Sequence, residues 1–284
     1  PVMLNIIKMD FYRMLKSKSQ YILWILLTVI LVLTTASMRE EYKDPQASAN
    51  NWETMQEGVE DTAENLGMYV TVPTEPGQKA TLYDMFYANT QGKVEAIFIV
   101  IFAVLFATAD IRSGYIKNIG GQCRRRSDLV ISKAVILFFY TVLTFLLTLA
   151  VQAFCNAVFY GYLEIGPVSE FLGYIGTQLL LHYALALIVM GISILILNNI
   201  ISMTLAIMLC MNMTVLLWGM VGRGLQSVFD RTVDVLSYTV TGSISILQLH
   251  GDTDLLIKAA LVAIVYGTVF TVVSAIVFQR RDIR

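Results

Sequence analysis

In 284 residues the chain carries 56% hydrophobic and 14% charged side chains, with a formal net charge of −1. Soluble domains hold about 25% charged residues. Six apolar stretches (21–37, 96–109, 134–160, 173–197, 200–220 and 255–278) have no charge in their cores, and a soluble protein of this size cannot hide them. A soluble fold is excluded and no nucleic-acid partner is expected.

A helix rises about 1.5 Å per residue, so about 20 apolar residues cross the hydrocarbon layer. The expected fold is all-α and integral to a membrane, with six transmembrane helices in one domain over 21–284. Residues 1–20 precede it as an interfacial helix. Within 4–18, Leu4, Ile7, Phe11 and Leu15 recur at helical spacing while Lys8, Arg13, Lys16 and Lys18 supply a basic part suited to anionic headgroups. Basic residues also precede a signal peptide, but five more stretches follow, so a retained first span is expected. Pro1-Val2 ahead of Met3 reads as a processing remnant.

Residues 38–93 are the largest segment outside the stretches, with ten acids against four bases. Trp52, Met55, Val59, Leu66 and Tyr69 form a helical stripe, 72–77 breaks it, and Thr81 with Asp84 is a capping-box signal for a second short helix. A small outer helical cap is expected. Thr90–Val94 can extend the second stretch outward.

The loop 110–133 follows, with Ile111, Tyr115 and Ile119 at i, i+4, i+8, then Gly120-Gly121 as a stop, Arg124, Arg125 and Arg126, and Ser127 as a cap for the next helix. A short helix across the membrane exit is expected. The third and fourth stretches carry Gln152, Asn156, Gln178 and His182, and the fifth carries Asn212. Gln178 and His182 stand four apart on one face. These side chains either bond neighbouring helices or line a cargo route. His182 is the one titratable side chain expected deep in a span. The fifth stretch is rich in Met, which fills cores and adapts to greasy cargo. Residues 221–254 are too apolar for a free loop, and an outward re-entrant hairpin of two short helices is expected.

The last stretch places Ala259, Ala263, Gly267, Thr271 and Ala275 at every fourth position, a groove for a close helix neighbour within the subunit or across a dimer. With the N-terminus inside, 13 Lys and Arg fall inside and 7 outside, which puts both termini in the cytoplasm. Cys123, Cys155 and Cys210 are isolated, with neither metal spacing nor a disulfide framework. There is no Walker A, HExxH or nucleophile-elbow pattern, so hydrolytic activity is not expected on this chain.

The loop resembles that of type-2 ABC transporter permeases, especially six-span subunits of Gram-positive peptide and drug exporters. The matching residues are Asp110, Ser113-Gly114, Lys117-Asn118, Arg124–Arg126 and Lys133. Asp110 stands where Glu is usual, and an arginine triplet where one Arg is usual. The resemblance implies a separate cytoplasmic ATPase that binds ATP and Mg, and a second permease chain, identical or paralogous. It implies that Asp110 and the arginines brace a coupling helix, Ile111, Tyr115 and Ile119 pack into the ATPase beside Gly114 and Lys117, and Lys133 anchors the third span. Export of amphipathic cargo, an antimicrobial peptide or drug, across a bacterial cytoplasmic membrane is the implied function. A carrier or channel without an ATPase, or a membrane sensor or scaffold, are the alternatives.

Overall fold

A computed structural model describes residues 2–56, 73–112, 126–211, 213–229, 235–249, 251 and 253–280. Among these the structure is helical and contains no strand. The helices are α1 (Val2–Lys16), α2 (Lys18–Lys43), α3 (Pro45–Gln56), α4 (Leu82–Gln91), α5 (Val94–Arg112), α6 (Ser127–Phe159), α7 (Val168–Ile196), α8 (Asn199–Cys210), α9 (Met213–Phe229), α10 (Val240–Ile246) and α11 (Thr253–Arg280). Four of them, α2, α6, α7 and α11, are long and apolar enough to cross a membrane. The pair α4–α5 passes the same test as one span bent by 53°, which makes five. The protein is therefore a multi-pass helical membrane protein.

The helix α7 forms the centre. It is apolar on every side and buried nearly all round from Leu181 to Ile194, as a helix enclosed by others must be. The helix α11 runs parallel to it. Its buried line starts at Ala259, Ala263 and Gly267, then continues through Ser274 and Phe278, leaving Thr271 and Ala275 half-buried. The predicted stripe at every fourth residue therefore holds for three positions and then drifts, because a helix turns every 3.6 residues. The close neighbour is α7 of the same chain: a Cβ on Gly267 would meet Leu187 at 3.2 Å and Ala184 at 3.9 Å.

On the other flank α2 and α6 run in the same direction. Leu23, Leu27, Leu31 and Thr35 bury one face of α2, while Ile22, Ile25, Leu26, Val29 and Leu33 face outward. The Trp24 and Tyr140 rings stack at 5.7 Å, and Tyr140 stacks on Phe102 of α5 at 3.7 Å. These three rings form an aromatic layer across α2, α5 and α6. The helix α1 lies against α6 through Ile6, Asp10 and Met14, rotated from the predicted stripe. The Ser132 hydroxyl donates to Asp10 at 2.7 Å, and Phe11 meets Phe139 edge-on. Leu4 and Leu15 are left on the outward side.

Three further features depart from expectation. The apolar run 200–220 is divided: Leu197 turns into the left-handed region (φ 56°), Asn198 caps α8 through its Oδ1, and α8 stops at Cys210 before an extended Met211. The helix α4 does have the predicted capping box, with Thr81 and Asp84 exchanging side-chain and backbone bonds. It is not an exposed cap, however, because every residue from Leu82 to Thr90 is buried. Finally, α10 is also buried and packs on α7. The predicted stripe residues Val59, Leu66 and Tyr69 lie outside the described residues.

Candidate functional site

Two layers of buried polar side chains stand above the aromatic layer, toward the α4 end of α5. The first centres on Gln152. Its amide nitrogen donates to Thr35 Oγ1 at 3.1 Å and Asn156 Oδ1 at 3.0 Å, and its oxygen accepts from Asn89 Nδ2 at 3.0 Å. Asn89 in turn accepts from Thr34 at 2.9 Å. This network ties α2, α4 and α6 together. It satisfies most, though not all, of its members: Asn156 Nδ2 has no partner among the described residues.

The second layer centres on Gln178. Its amide nitrogen donates to the Tyr174 hydroxyl at 3.1 Å and to the Ile244 carbonyl at 3.2 Å. Gln91 Nε2 reaches the Ile244 and Leu247 carbonyls at 3.3 and 2.7 Å. So side chains from α4 and α7 meet the free carbonyls at the end of the short helix α10. The Tyr83 hydroxyl adds a bond to the Leu249 carbonyl. His182 Nδ1 donates to the Gln178 backbone carbonyl at 2.8 Å, and Nε2 has no partner among the described residues. Phe145 packs edge-on against the imidazole at 5.1 Å.

Gln152 and Asn156 thus meet each other, and Gln178 and His182 share the second layer. The latter two are joined through the Gln178 backbone oxygen, which the histidine takes. Asn212 lies outside the described residues. Sequence reasoning missed Asn89, Gln91, Thr34, Thr35 and Tyr174. Asn89 and Gln91 flank Thr90 in a polar run that has the character of a surface helix, and the surrounding amides and carbonyls make it a core helix.

Two charged side chains outside the apolar stretches are also buried in the bundle. Lys93 (3% exposed) occupies the α4–α5 bend with φ 55°, and Glu95 (0% exposed) opens α5. Lys93 was assigned to the outside and Glu95 to no stretch, because neither falls inside an apolar run. The bend folds both into the bundle.

The end of α5 and the start of α6, which flank the predicted coupling segment, lie at the opposite end of the bundle. Lys133 is buried, its ammonium donating to the Phe106 carbonyl at 3.1 Å over the Phe106 ring. It clamps α5 to α6. A cleft of about 460 Å³ opens here, lined by Arg13, Ser17 and Ser19 beside Phe102, Phe106 and Ala109. Asp110 and Ile111 belong to the last turn of α5, and Arg126 immediately precedes α6. Gly114, Tyr115, Lys117, Ile119, Arg124 and Arg125 lie outside the described residues.

The fold and its buried polar layers define a multi-pass helical membrane protein. Residues 54–284 match the family described as a protein of unknown function, DUF2705, and the chain belongs to that family. No curated protein matches the chain.

Proposed function

We propose that this protein is the membrane-spanning permease subunit of an ATP-driven ABC exporter. The observation that carries the reading is the clamp beneath residues 110–126. Lys133 bonds α6 to the Phe106 carbonyl of α5, and Asp10 bonds α1 to Ser132 of α6. A segment joining two helices held in this way can pass a push from outside the membrane into both of them. The α5 helix leads from that clamp to the bend and the polar layers, so a displacement at 110–126 reaches the centre of the bundle. The chain itself carries no nucleotide-binding motif, and the work must come from a partner that binds two conformations unequally.

In this reading the crossings number six: α2, α4–α5, α6, α7, the divided α8–α9, and α11. Both termini face the cytoplasm of a bacterium, in keeping with 13 basic residues on that side. ATP and Mg sit on a cytoplasmic ATPase whose groove receives Ile111, Gly114, Tyr115, Lys117 and Ile119, with Asp110 and Arg124–Arg126 bracing the segment. A second permease chain, identical or paralogous, completes the route. Amphipathic cargo, an antimicrobial peptide or drug, passes near Gln152, Asn156, Gln178, His182 and Asn212.

The test is whether the neighbouring reading frame encodes an ATPase subunit, followed by co-expression of the two chains. Co-purification should depend on residues 110–120. Gly114→Pro or Tyr115→Asp should leave the chain inserted and abolish ATP-driven cargo movement. Full transport by either variant overturns the coupling role. Cargo movement by the purified chain alone supports an ATPase-independent carrier instead, and ATPase binding without transport supports a sensor.

A further inference from the structure

Glu95 occupies a position that demands explanation. The Trp24, Phe102 and Tyr140 rings stand at one level of the bundle. Glu95 lies seven residues from Phe102, two helical turns or about 10 Å toward the bend. On α2 and α6 two turns in the same direction lead to Leu31 and Leu147, and the Thr35–Gln152 bond lies one turn beyond. Glu95 therefore sits between the aromatic layer and the amide layer, within the apolar length of α2. Glu95 is 0% exposed, and the neighbouring helix α4 is buried from Leu82 to Thr90.

Both carboxylate oxygens of Glu95 are buried, and no side chain among the described residues bonds them. Burial of an unpaired charge is so costly that such a group takes up a proton instead. The first turn of α5 favours a negative charge, but by far less than the lost hydration opposes it. Among the groups on the elements around α5, none is bonded to the Glu95 carboxyl. Lys93 lies two residues away on the bend, within electrostatic reach of His182 on α7 and Cys210 on α8. Tyr174 on α7 is bonded to Gln178. Tyr140 on α6 lies in the aromatic layer, and Cys155 of that helix lies beyond Gln152. On α4, Asp84 is engaged in the capping box, and Tyr83 and Tyr87 pack on Tyr174. From Ile22 to Met38, α2 brings no titratable group.

We propose that Glu95 is an intramembrane proton-binding site, occupied in the conformation described and emptied when the α4–α5 bend opens to water. Proton binding and closure of the bend are then linked: whatever hydrates Glu95 releases its proton, and protonation favours closure. An ionisable residue at this depth commonly marks a proton or ion pathway. The inference does not rest on the exporter reading and applies to any mode of action that moves α4 against α5.

Infrared difference spectroscopy of the full chain in lipid nanodiscs tests it. At neutral pH the wild type should show the C=O stretch of an un-ionised carboxylic acid. The band should be lost in Glu95→Gln and kept in Asp10→Asn. Absence of the band, or its persistence in Glu95→Gln, overturns the proposal. Should the variant fail to fold, carboxyl-labelled wild type decides. The band must shift with labelled glutamate and not with labelled aspartate, because no other glutamate among the described residues is buried. A shift with aspartate alone overturns the proposal equally.

Discussion

Replacing Gly191 with alanine probes the α7–α11 seam, the most extensive helix contact in the structure. A Cβ built there lies 2.8 Å from Ser274 Oγ and 3.2 Å from Phe270 Cδ1. Neither neighbour yields freely. Ser274 is buried with its hydroxyl bonded to the Phe270 carbonyl, and the Phe270 ring stacks on Tyr266. Forcing a methyl into such a contact costs about 1–3 kcal/mol. The better helix propensity of alanine returns about 1 kcal/mol. A net loss of about 0–2 kcal/mol follows, centred on about 1 kcal/mol. Ser274→Ala removes the nearest atom and should recover about 1 kcal/mol of that loss in the double variant, a coupling of the size expected for residues in contact. Reversible unfolding of the purified chain in mixed micelles, titrated with a denaturing detergent, measures all three variants. A Gly191→Ala protein more stable than wild type, or a penalty that Ser274→Ala leaves unchanged, would refute this account of the seam.

Three other substitutions test the polar layers and the clamp. Gln152→Leu removes bonds to Thr35, Asn89 and Asn156 at once, and at about 0.6 kcal/mol per intramembrane bond it should cost about 2 kcal/mol in the same unfolding titration. Gly242→Ala places a methyl on the Leu236 carbonyl and 2.6 Å from Thr239 Oγ1. It should displace α10 from α7, read as faster proteolysis of 235–249 with α6 and α7 still protected. Lys133→Met leaves the Phe106 carbonyl without its charged donor, and a bond of that kind contributes about 1.5–3 kcal/mol. Reduced stability together with partial uncoupling of ATP hydrolysis from transport is expected, and a fully coupled variant would remove the clamp from the account.

Much of the bundle was legible in the sequence because membrane burial leaves long uncharged runs, and α2, α6, α7 and α11 follow them closely. The capping box at Thr81 and Asp84 was also legible, since its chemistry is local. Depth was not. The α4 sequence Leu-Tyr-Asp-Met-Phe-Tyr-Ala-Asn-Thr-Gln has the polarity of a surface helix, and only Gln152 and the carbonyls of α10, distant in sequence, satisfy it inside the bundle. The burial of Lys93 and Glu95 at the α4–α5 bend was illegible for the same reason. The division of 200–220 at Met211 carries no Gly or Pro to mark it. The drift of the α11 stripe from Gly267 to Ser274 shows that a spacing of four outlasts only about two turns of a 3.6-residue helix.

The central claim is that force enters through residues 110–126 from a separate ATPase. Reconstitution of the permease and ATPase in vesicles, with a panel of cationic amphipathic peptides as cargo, measures it most directly. The account predicts uptake into inside-out vesicles that requires ATP and the ATPase subunit, and that disappears in Tyr115→Asp while the complex chain remains inserted. Transport that proceeds at the wild-type rate without the ATPase would contradict it.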